Sequence, residues 1–370
     1  MKEGVRYFLD FFPPPRFLAM PAFGVALSDK SLRYAELIRK RGGYIVGHYG
    51  EKEIPAGVVI SGKIEKPEVL KNLFEELRKE HDIAFIRLAF QEQQGYVFRL
   101  DMPFVKKSEV RNSLELQLEE HVPIPVASAL FDYQYIPLKK GIAERHPLIE
   151  VGVSVLPRSI IDSYVHVLRE AGLTPLSFEI EAHALARALL SPSDLDTYMI
   201  VDIGSTRAGL SIVSRGVTNL TWTIPVGGDM LTDAVSKAFG IDFKEARKKK
   251  EKEGLKHDKE IEHSNKNMAR ILSVQARLLR EEIKKREIYW HTHVDENGKS
   301  RDRIRQILLC GGEANVPGLF EYLAGGLDVP LVLGNPWKNI ASLDTYTPPI
   351  PYNDSLRYVT AFGLALRGTL

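Results

Sequence analysis

The sequence predicts an α/β protein built as two similar halves, with a smaller module inserted in the first. Three observations carry this. Met199 to Val213 sets two apolar, strand-like runs around a tight turn that holds Asp202, Gly204, Ser205 and Thr206. A second strand–turn–strand unit stands near the start, Phe23 to Leu37, with its turn at Ser28-Asp29-Lys30-Ser31. In the second half, a strand at Arg305 to Cys310 runs into Gly311-Gly312 and then a helix at Leu319 to Ala324. A period of two marks the strands, and Gly, Asp and Ser mark the turns.

The elements follow in order. Gly43 to Gly47 and Ala56 to Ile60 continue the β pattern of the first unit. Pro67 to Glu80 predicts a helix, because Val69, Leu70, Leu73, Phe74 and Leu77 recur at helical spacing. Ala84 to Phe90 predicts a buried strand, so the first unit runs β-β-β-α-β. A different block follows. Tyr96 to Leu100 is a strand, Ser108 caps a helix carrying Val110, Leu114 and Leu118 on one face, and Val122-Pro-Ile-Pro125 stops it. Phe131 to Pro137 and Leu148 to Val155 are strands, and Arg158 to Ala171 is a helix closed by Gly172. This β-α-β-β-α block predicts an inserted module. Glu179 to Leu190 is then a helix leading to the Asp202 hairpin. Beyond it, Gly216 to Ile224 is a strand and Gly227-Gly228-Asp229 opens a helix to Phe239. Phe243 to Gly254 is a basic helix, His257 to Met268 a polar loop, Ala269 to Trp290 a long amphipathic helix, and Leu356 to Arg367 a closing helix.

Bulk properties exclude several classes of function. With 370 residues, the chain is long enough for two or three domains. A formal net charge of +2 gives no global field toward nucleic acid or an anionic membrane. The single cysteine, Cys310, excludes a disulfide framework, fits a reducing cytosol and sits in an apolar run as a buried thiol. No run approaches the roughly 18 apolar residues of a membrane span. The Phe- and Pro-rich start, residues 1–22, predicts a loosely packed extension. Lys248-Lys249-Lys250 predicts a solvated helix face, and His291-Thr-His293 lacks further ligands for a metal.

The Asp202 hairpin has the chemistry of a phosphate cradle. Gly204 frees the turn to close around an anion, and backbone N–H groups there can converge on phosphate oxygens. Asp202 ends its strand where a hydrated Mg²⁺ would lie beside them. A plain hairpin would carry the same pattern, so its company decides.

Two strand–turn–strand units, each heading an α/β half, plus the Gly-Gly turn, resemble the actin-like ATPase superfamily. The chain is similar from Ala22 to Gly368 to the type IV pilus assembly protein PilM family. The residues carrying this are Ala56 to Lys63, His121-Val-Pro-Ile-Pro125 with Phe131-Asp-Tyr133, Ala171-Gly-Leu-Thr-Pro175, Glu181 to Ala188, Pro225 to Thr232, Glu245-Ala246 with Lys250, and Gly363 to Arg367. The resemblance implies an actin-like (ribonuclease H-like) two-lobed ATPase fold with a β-α-β-β-α subdomain in the first lobe, as in the related cell-division protein FtsA. The implied boundaries are an extension at 1–22, first-lobe core at 23–92 and 179–195, the inserted subdomain at 93–178 and the second lobe at 196–370, with an outer part at about 225–304.

The resemblance also implies site residues and ligands. ATP and Mg²⁺ are the implied cofactors. Asp202 would hold the metal, Gly204, Ser205 and Thr206 the phosphates, and Gly227 and Gly228 would let the chain pass close to them. Gly311 and Gly312 would flank the adenosine, and Lys250 and Lys285 would lie near the ribose and adenine edge. Glu181 would stand beside the attacking water, where a carboxylate in hydrogen-bond reach can act as a base; a helix-start glutamate favoured by the dipole is the plainer explanation. Two positions depart from the family pattern. Ala26 stands where the first hairpin carries a metal-binding aspartate, with Ser28 in place of its glycine, and Arg247 stands where a ribose-binding glutamate is usual. The expectation is therefore a scaffold with weak or absent ATP hydrolysis, placed at the inner-membrane face by a partner. That partner would be the cytoplasmic N-terminal peptide of a PilN-type membrane protein, held between the first subdomain and the insertion, with the helix Ser108 to Glu120 and the Pro-rich turn after it as candidates. A homodimer or filament is a further possible assembly. Two rivals remain: an FtsA-like filament, which needs an amphipathic anchor beyond Arg367-Gly-Thr-Leu370, and a small-molecule kinase, which needs a base beside a sugar-sized pocket.

Overall fold

The computed structural model describes residues 20–40, 43–137, 148–255, 268–294, 301–344 and 346–368. Most of the N-terminal extension and nearly all of the polar loop expected at His257 to Met268 lie outside them.

The first lobe is a five-stranded sheet in the order β3-β2-β1-β6-β10. Its strands are β1 (Ala22–Leu27), β2 (Ser31–Lys40), β3 (Gly43–Glu53), β6 (Phe85–Phe90) and β10 (Thr174–Ile180). Two short strands, β4 (Val59–Ile60) and β5 (Lys63–Ile64), pair beside it. β1 runs antiparallel to β2 and parallel to β6, and β6 parallel to β10. The second lobe repeats this plan in the order β13-β12-β11-β14-β15, from β11 (Thr197–Ile203), β12 (Ala208–Ser214), β13 (Val217–Ile224), β14 (Ile304–Cys310) and β15 (Leu331–Leu333). The same order and sense in both sheets is the structural basis of the two halves seen in the sequence.

Helix α1 (Pro67–His81) begins with Pro at its first turn and ends at Asp82 in the left-handed region. Its Leu70, Phe74 and Leu77 are buried on the first sheet. The inserted module is a three-stranded sheet, β7-β9-β8, of β7 (Tyr96–Pro103), β8 (Ala129–Tyr135) and β9 (Leu148–Pro157), under helix α2 (Val110–His121). Val110, Leu114 and Leu118 of α2 form the module's own core with Val151, Val153 and Val155. Two differences from expectation follow. Helix α3 (Arg158–Glu170) buries Tyr164, Val167 and Leu168 among first-lobe residues, so by packing it leaves the module. β10 is a strand of the first sheet where no strand is expected. By packing the module therefore spans β7 to β9.

Helices α4 (Glu181–Leu189) and α10 (Val359–Ala365) lie between the two sheets. Their backbones approach closely: a Cβ on Gly363 would fall 1.9 Å from the Ala184 carbonyl oxygen, and one on Gly24 of β1 would fall 2.0 Å from that of Ala361. A bidentate pair from Arg187 to Glu179 at 2.7 Å, joined by Arg367, braces this junction, and Arg187 also donates to the Gly363 carbonyl at 2.8 Å. Burial raises the pKa of Glu179, but the two guanidinium groups overcome it and hold the carboxyl below its usual range.

The remaining helices cover the outer face of the second sheet: α5 (Gly228–Phe239), α6 (Phe243–Glu253), α7 (Met268–Thr292) and α8 (Leu319–Ala324). A last short helix, α9 (Tyr352–Ser355), precedes α10. Asp242 caps α6 by accepting from the Glu245 N–H at 2.8 Å. Among the described residues no helix is long and apolar enough to cross a membrane.

Candidate functional site

Two cavities stand where elements converge. The first is the cleft between the lobes, lined by hairpin residues from both and by the loop after β14. It gathers Asp202, Gly204, Ser205, Thr206, Glu181, Gly311 and Gly312, as the sequence expects, and adds Arg33, Glu92, Arg207 and Thr360.

Asp202 is the penultimate residue of β11, opposite Gly209 of β12 and Cys310 of β14. The glycine after Cys310 keeps space clear for its carboxylate. Gly311 sits at φ +92°, and a Cβ there would lie 2.3 Å from Asp202 Oδ1. The carboxylate has no hydrogen-bond or ion-pair partner among the described residues. Burial, with Glu181 adding to it and Arg33 opposing, pushes its pKa up to about 7. Glu181, at the first position of α4, is also pushed up by burial, although its Oε1 accepts from Thr360 Oγ1 at 2.7 Å. Cys310 is fully buried, and burial raises its thiol pKa well above the usual range.

The hairpins face each other and are tied together. The Gly204 N–H donates to the Arg207 carbonyl at 2.9 Å, closing the second turn. Ser205 and Thr206 N–H donate to no other described backbone carbonyl, which leaves both groups free at the tip. Across the cleft, Arg207 donates to Asp29 at 2.7 Å, and Asp29 also accepts from the Gly62 N–H at 3.0 Å. Lys30 pairs with Asp229 at 2.5 Å. Asp29 is thus engaged at the hairpin tip, and Ala26 brings no acid to the cleft.

The remaining expected residues fall outside this lining. The Gly228 and Asp229 N–H groups donate to the Gly204 and Ser205 carbonyls, at 3.0 and 2.7 Å, so the start of α5 docks on the second hairpin. Gly227 lies against the same turn, since a Cβ on it would reach the Arg207 nitrogen at 2.5 Å. Lys250 does not follow its lysine run into solvent. It is 1% exposed and pairs with Glu313 at 2.6 Å, while Glu313 occupies the space above Gly228. Lys285 is not brought to the cleft; its side chain is 65% exposed on α7, near Glu282. Arg247 is likewise on a helix surface, paired with Glu251 at 3.1 Å. Of the cleft residues the sequence reading missed, Glu92 had a visible signal: an acid placed two residues after a mostly apolar strand.

The second cavity, about 170 Å³, is a groove between the inserted module and the first lobe. β8 forms one wall with Leu130, Asp132 and Gln134, and β10 the other with Phe178 and Ile180, beside His183 and Ser154. The alternate β8 residues Phe131 and Tyr133 stand opposite Val155 and Val153 and pack on the module's own core. β8 and β10 are edge strands of their sheets. The helix Ser108 to Glu120 and the Pro-rich turn do not line it; α2 spends its apolar face on its own sheet. Ser154 Oγ lies 2.6 Å from His183 Nε2, and burial pushes the His183 pKa down to about 4.

That depression predicts a pH effect. His183 stays neutral in the folded chain but ionises near 6.5 when unfolded, so its contribution is full above pH 6.5 and is lost as pH falls toward 4. The loss is about 2–3 kcal/mol at pH 4. Denaturant unfolding of His183→Gln beside the native chain should show a gap that closes by that amount between pH 7 and 4. A constant gap would refute it.

A match to the family model described as type IV pilus assembly protein PilM spans residues 24–369. The structure is similar to that of the PilM-PilN type IV pilus biogenesis complex, with TM-score 0.77 at 18% identity over 96% of this chain and 100% of that one. It is also similar to the ethanolamine utilization protein EutJ of Carboxydothermus hydrogenoformans, with TM-score 0.55 at 17% identity over 96% and 91% of the two chains. MreB5 of Spiroplasma citri bound to AMPPNP gives 0.54 at 14% identity over 94% and 96%. The fold is the actin-like one, and the chain belongs to the type IV pilus assembly protein PilM family.

Proposed function

We propose that this protein is an adaptor of a type IV pilus assembly platform that holds the cytoplasmic N-terminal peptide of a PilN-type membrane protein in the groove between β8 and β10. The carrying observation is the groove itself. It is lined by Leu130, Leu156, Ile161, Phe178 and Ile180 together with polar side chains, and lies between two strand edges whose outer backbone groups have no ladder partner among the described residues. An extended peptide can add to such an edge while its side chains enter the cavity. The solved relative that contains PilM and PilN supports the identity of the partner. Titration of a labelled PilN-type peptide should saturate at micromolar concentration. Leu130→Asp, on a half-buried residue of the groove face, should weaken it by about tenfold or more, with the melting temperature of the variant measured alongside. Equal binding by both proteins would remove the groove from the proposal.

The cleft, in the same reading, takes ATP or ADP with Mg²⁺ and turns it over slowly. The relative bound to AMPPNP supports the ligand class. The residues present fit the metal: Asp202 carries an unpartnered carboxylate in a space that Gly311 keeps open. When bound, Mg²⁺ supplies charge neutralisation at phosphate oxygens. Ser205 and Thr206 offer free N–H groups and hydroxyls to those phosphates. Glu181 is engaged as an acceptor by the Thr360 hydroxyl, which competes with an attacking water for its Oε1. Steady-state phosphate release should stay near background, and turnover comparable to an actin-like ATPase would contradict this.

A further inference from the structure

The first strand of this fold has lost its acid at Ala26, and the neighbouring strand supplies one. β1 and β6 run parallel, with Ala26 beside Ala89. The chain leaves β6 after Phe90 and reaches Glu92 at the start of a one-turn helix, Glu92–Gln94. Glu92 is 6% exposed and lines the same cleft as Ala26 and Asp202. Its carboxylate reaches across to the second lobe. A Cβ built on Gly209 would meet Glu92 Oε2 at 2.8 Å and Oε1 at 3.1 Å.

Gly209 is the antiparallel partner of Asp202. Side chains at directly opposed positions point to one face, with Cβ atoms about 5 Å apart. The Glu92 carboxylate therefore fills the side-chain place that Gly209 leaves empty, next to Asp202. No other described residue donates a hydrogen bond to either carboxylate, and Glu92 accepts only from its own backbone N–H. The nearby guanidinium of Arg207 is committed to Asp29. A buried and a half-buried carboxylate side by side, with no donor from any other described residue, are costly unless a cation joins them. Among the described residues no three His, Cys, Asp or Glu side chains are grouped to hold a metal alone. A pair of acids completed by phosphate oxygens and waters is the usual arrangement for Mg²⁺.

We propose that Glu92 is the second acid of the cleft's divalent-cation site, taking the place of the carboxylate that Ala26 lacks. This rests on the reading of the cleft as a nucleotide site. The test is ADP titrated into the native chain, Glu92→Gln and the double variant Ala26→Asp/Glu92→Gln, each with Mg²⁺ and with EDTA. Mg²⁺ should tighten ADP binding to the native chain. Glu92→Gln should lose about tenfold of that gain while its EDTA affinity stays unchanged, and the double variant should recover it. Unchanged Mg²⁺ dependence in Glu92→Gln, or equal weakening with and without the cation, overturns the assignment of Glu92 alone. A native chain that binds no ADP under either condition overturns the nucleotide reading, and the assignment with it.

Discussion

Asp202→Asn is expected to stabilise the ligand-free protein and to abolish its stabilisation by Mg²⁺ and nucleotide. Burial beside Glu181 raises the Asp202 pKa to about 7 in the folded state, above an unfolded value near 3.8. A raised pKa means that the folded chain holds the proton more tightly. The associated stability is present below pH 3.8 and is lost as pH rises through about 7. Asparagine cannot ionise, so the variant escapes the loss. The gain at pH 8 should be about 2–4 kcal/mol, a melting-temperature rise of several degrees. The difference between variant and native chain should shrink toward pH 4. Its neighbours share the field: Glu92 and Glu181 are also raised, so part of the gain passes to them and the lower end of that range is favoured. Thermal melts across pH 4 to 8 measure it. A variant less stable than the native chain at pH 8 would mean that the carboxylate has an unseen donor.

The largest loss of stability is expected from Gly363→Val. The Cβ of any residue there would fall 1.9 Å from the Ala184 carbonyl oxygen and 2.5 Å from its carbon, both backbone atoms. Neither can rotate away, so α10 and α4 must separate. Separation would open the junction braced by Arg187, Glu179 and Arg367, and would pull Thr360 from Glu181. Overpacking of this kind costs at least about 3 kcal/mol, a large share of a domain's stability. Gly24→Val should act likewise, since it meets α10 from the β1 side at 2.0 Å from the Ala361 oxygen. Denaturant midpoints and soluble yield test both. Near-native stability for Gly363→Val would show that the interlobe helices are loosely packed.

Much of this architecture was legible because its signals are local. The stripe on α1 announced Leu70, Phe74 and Leu77, all buried as expected. The apolar run Met199 to Val201 of β11, followed by Asp202 and Gly204, marked the second hairpin and its acid. What stayed hidden depended on partners. The residues of β10, Thr-Pro-Leu-Ser-Phe-Glu-Ile, do not alternate cleanly, since the strand lies at a sheet edge between unlike neighbours. The apolar stripe of α3 fixes which face is buried but not against which sheet, so its assignment to the inserted module had no internal check. Lys250 sits in a run of three lysines, and only its angular position on α6 turns it inward to Glu313. Glu92 and Asp202 come from different lobes, over a hundred residues apart in the chain, and become neighbours only through the closed cleft.

The central claim is that the groove between the two strand edges is the docking site and that the cleft is a separate pocket. Hydrogen exchange of the full chain with and without a saturating PilN-type peptide tests it most directly. Slowed exchange at backbone amides of β8 (129–135) and β10 (174–180), with the hairpin tips at 28–31 and 204–207 unchanged, is the expected result. Protection confined to α2 or to the hairpins, with β8 and β10 unaltered, would contradict it.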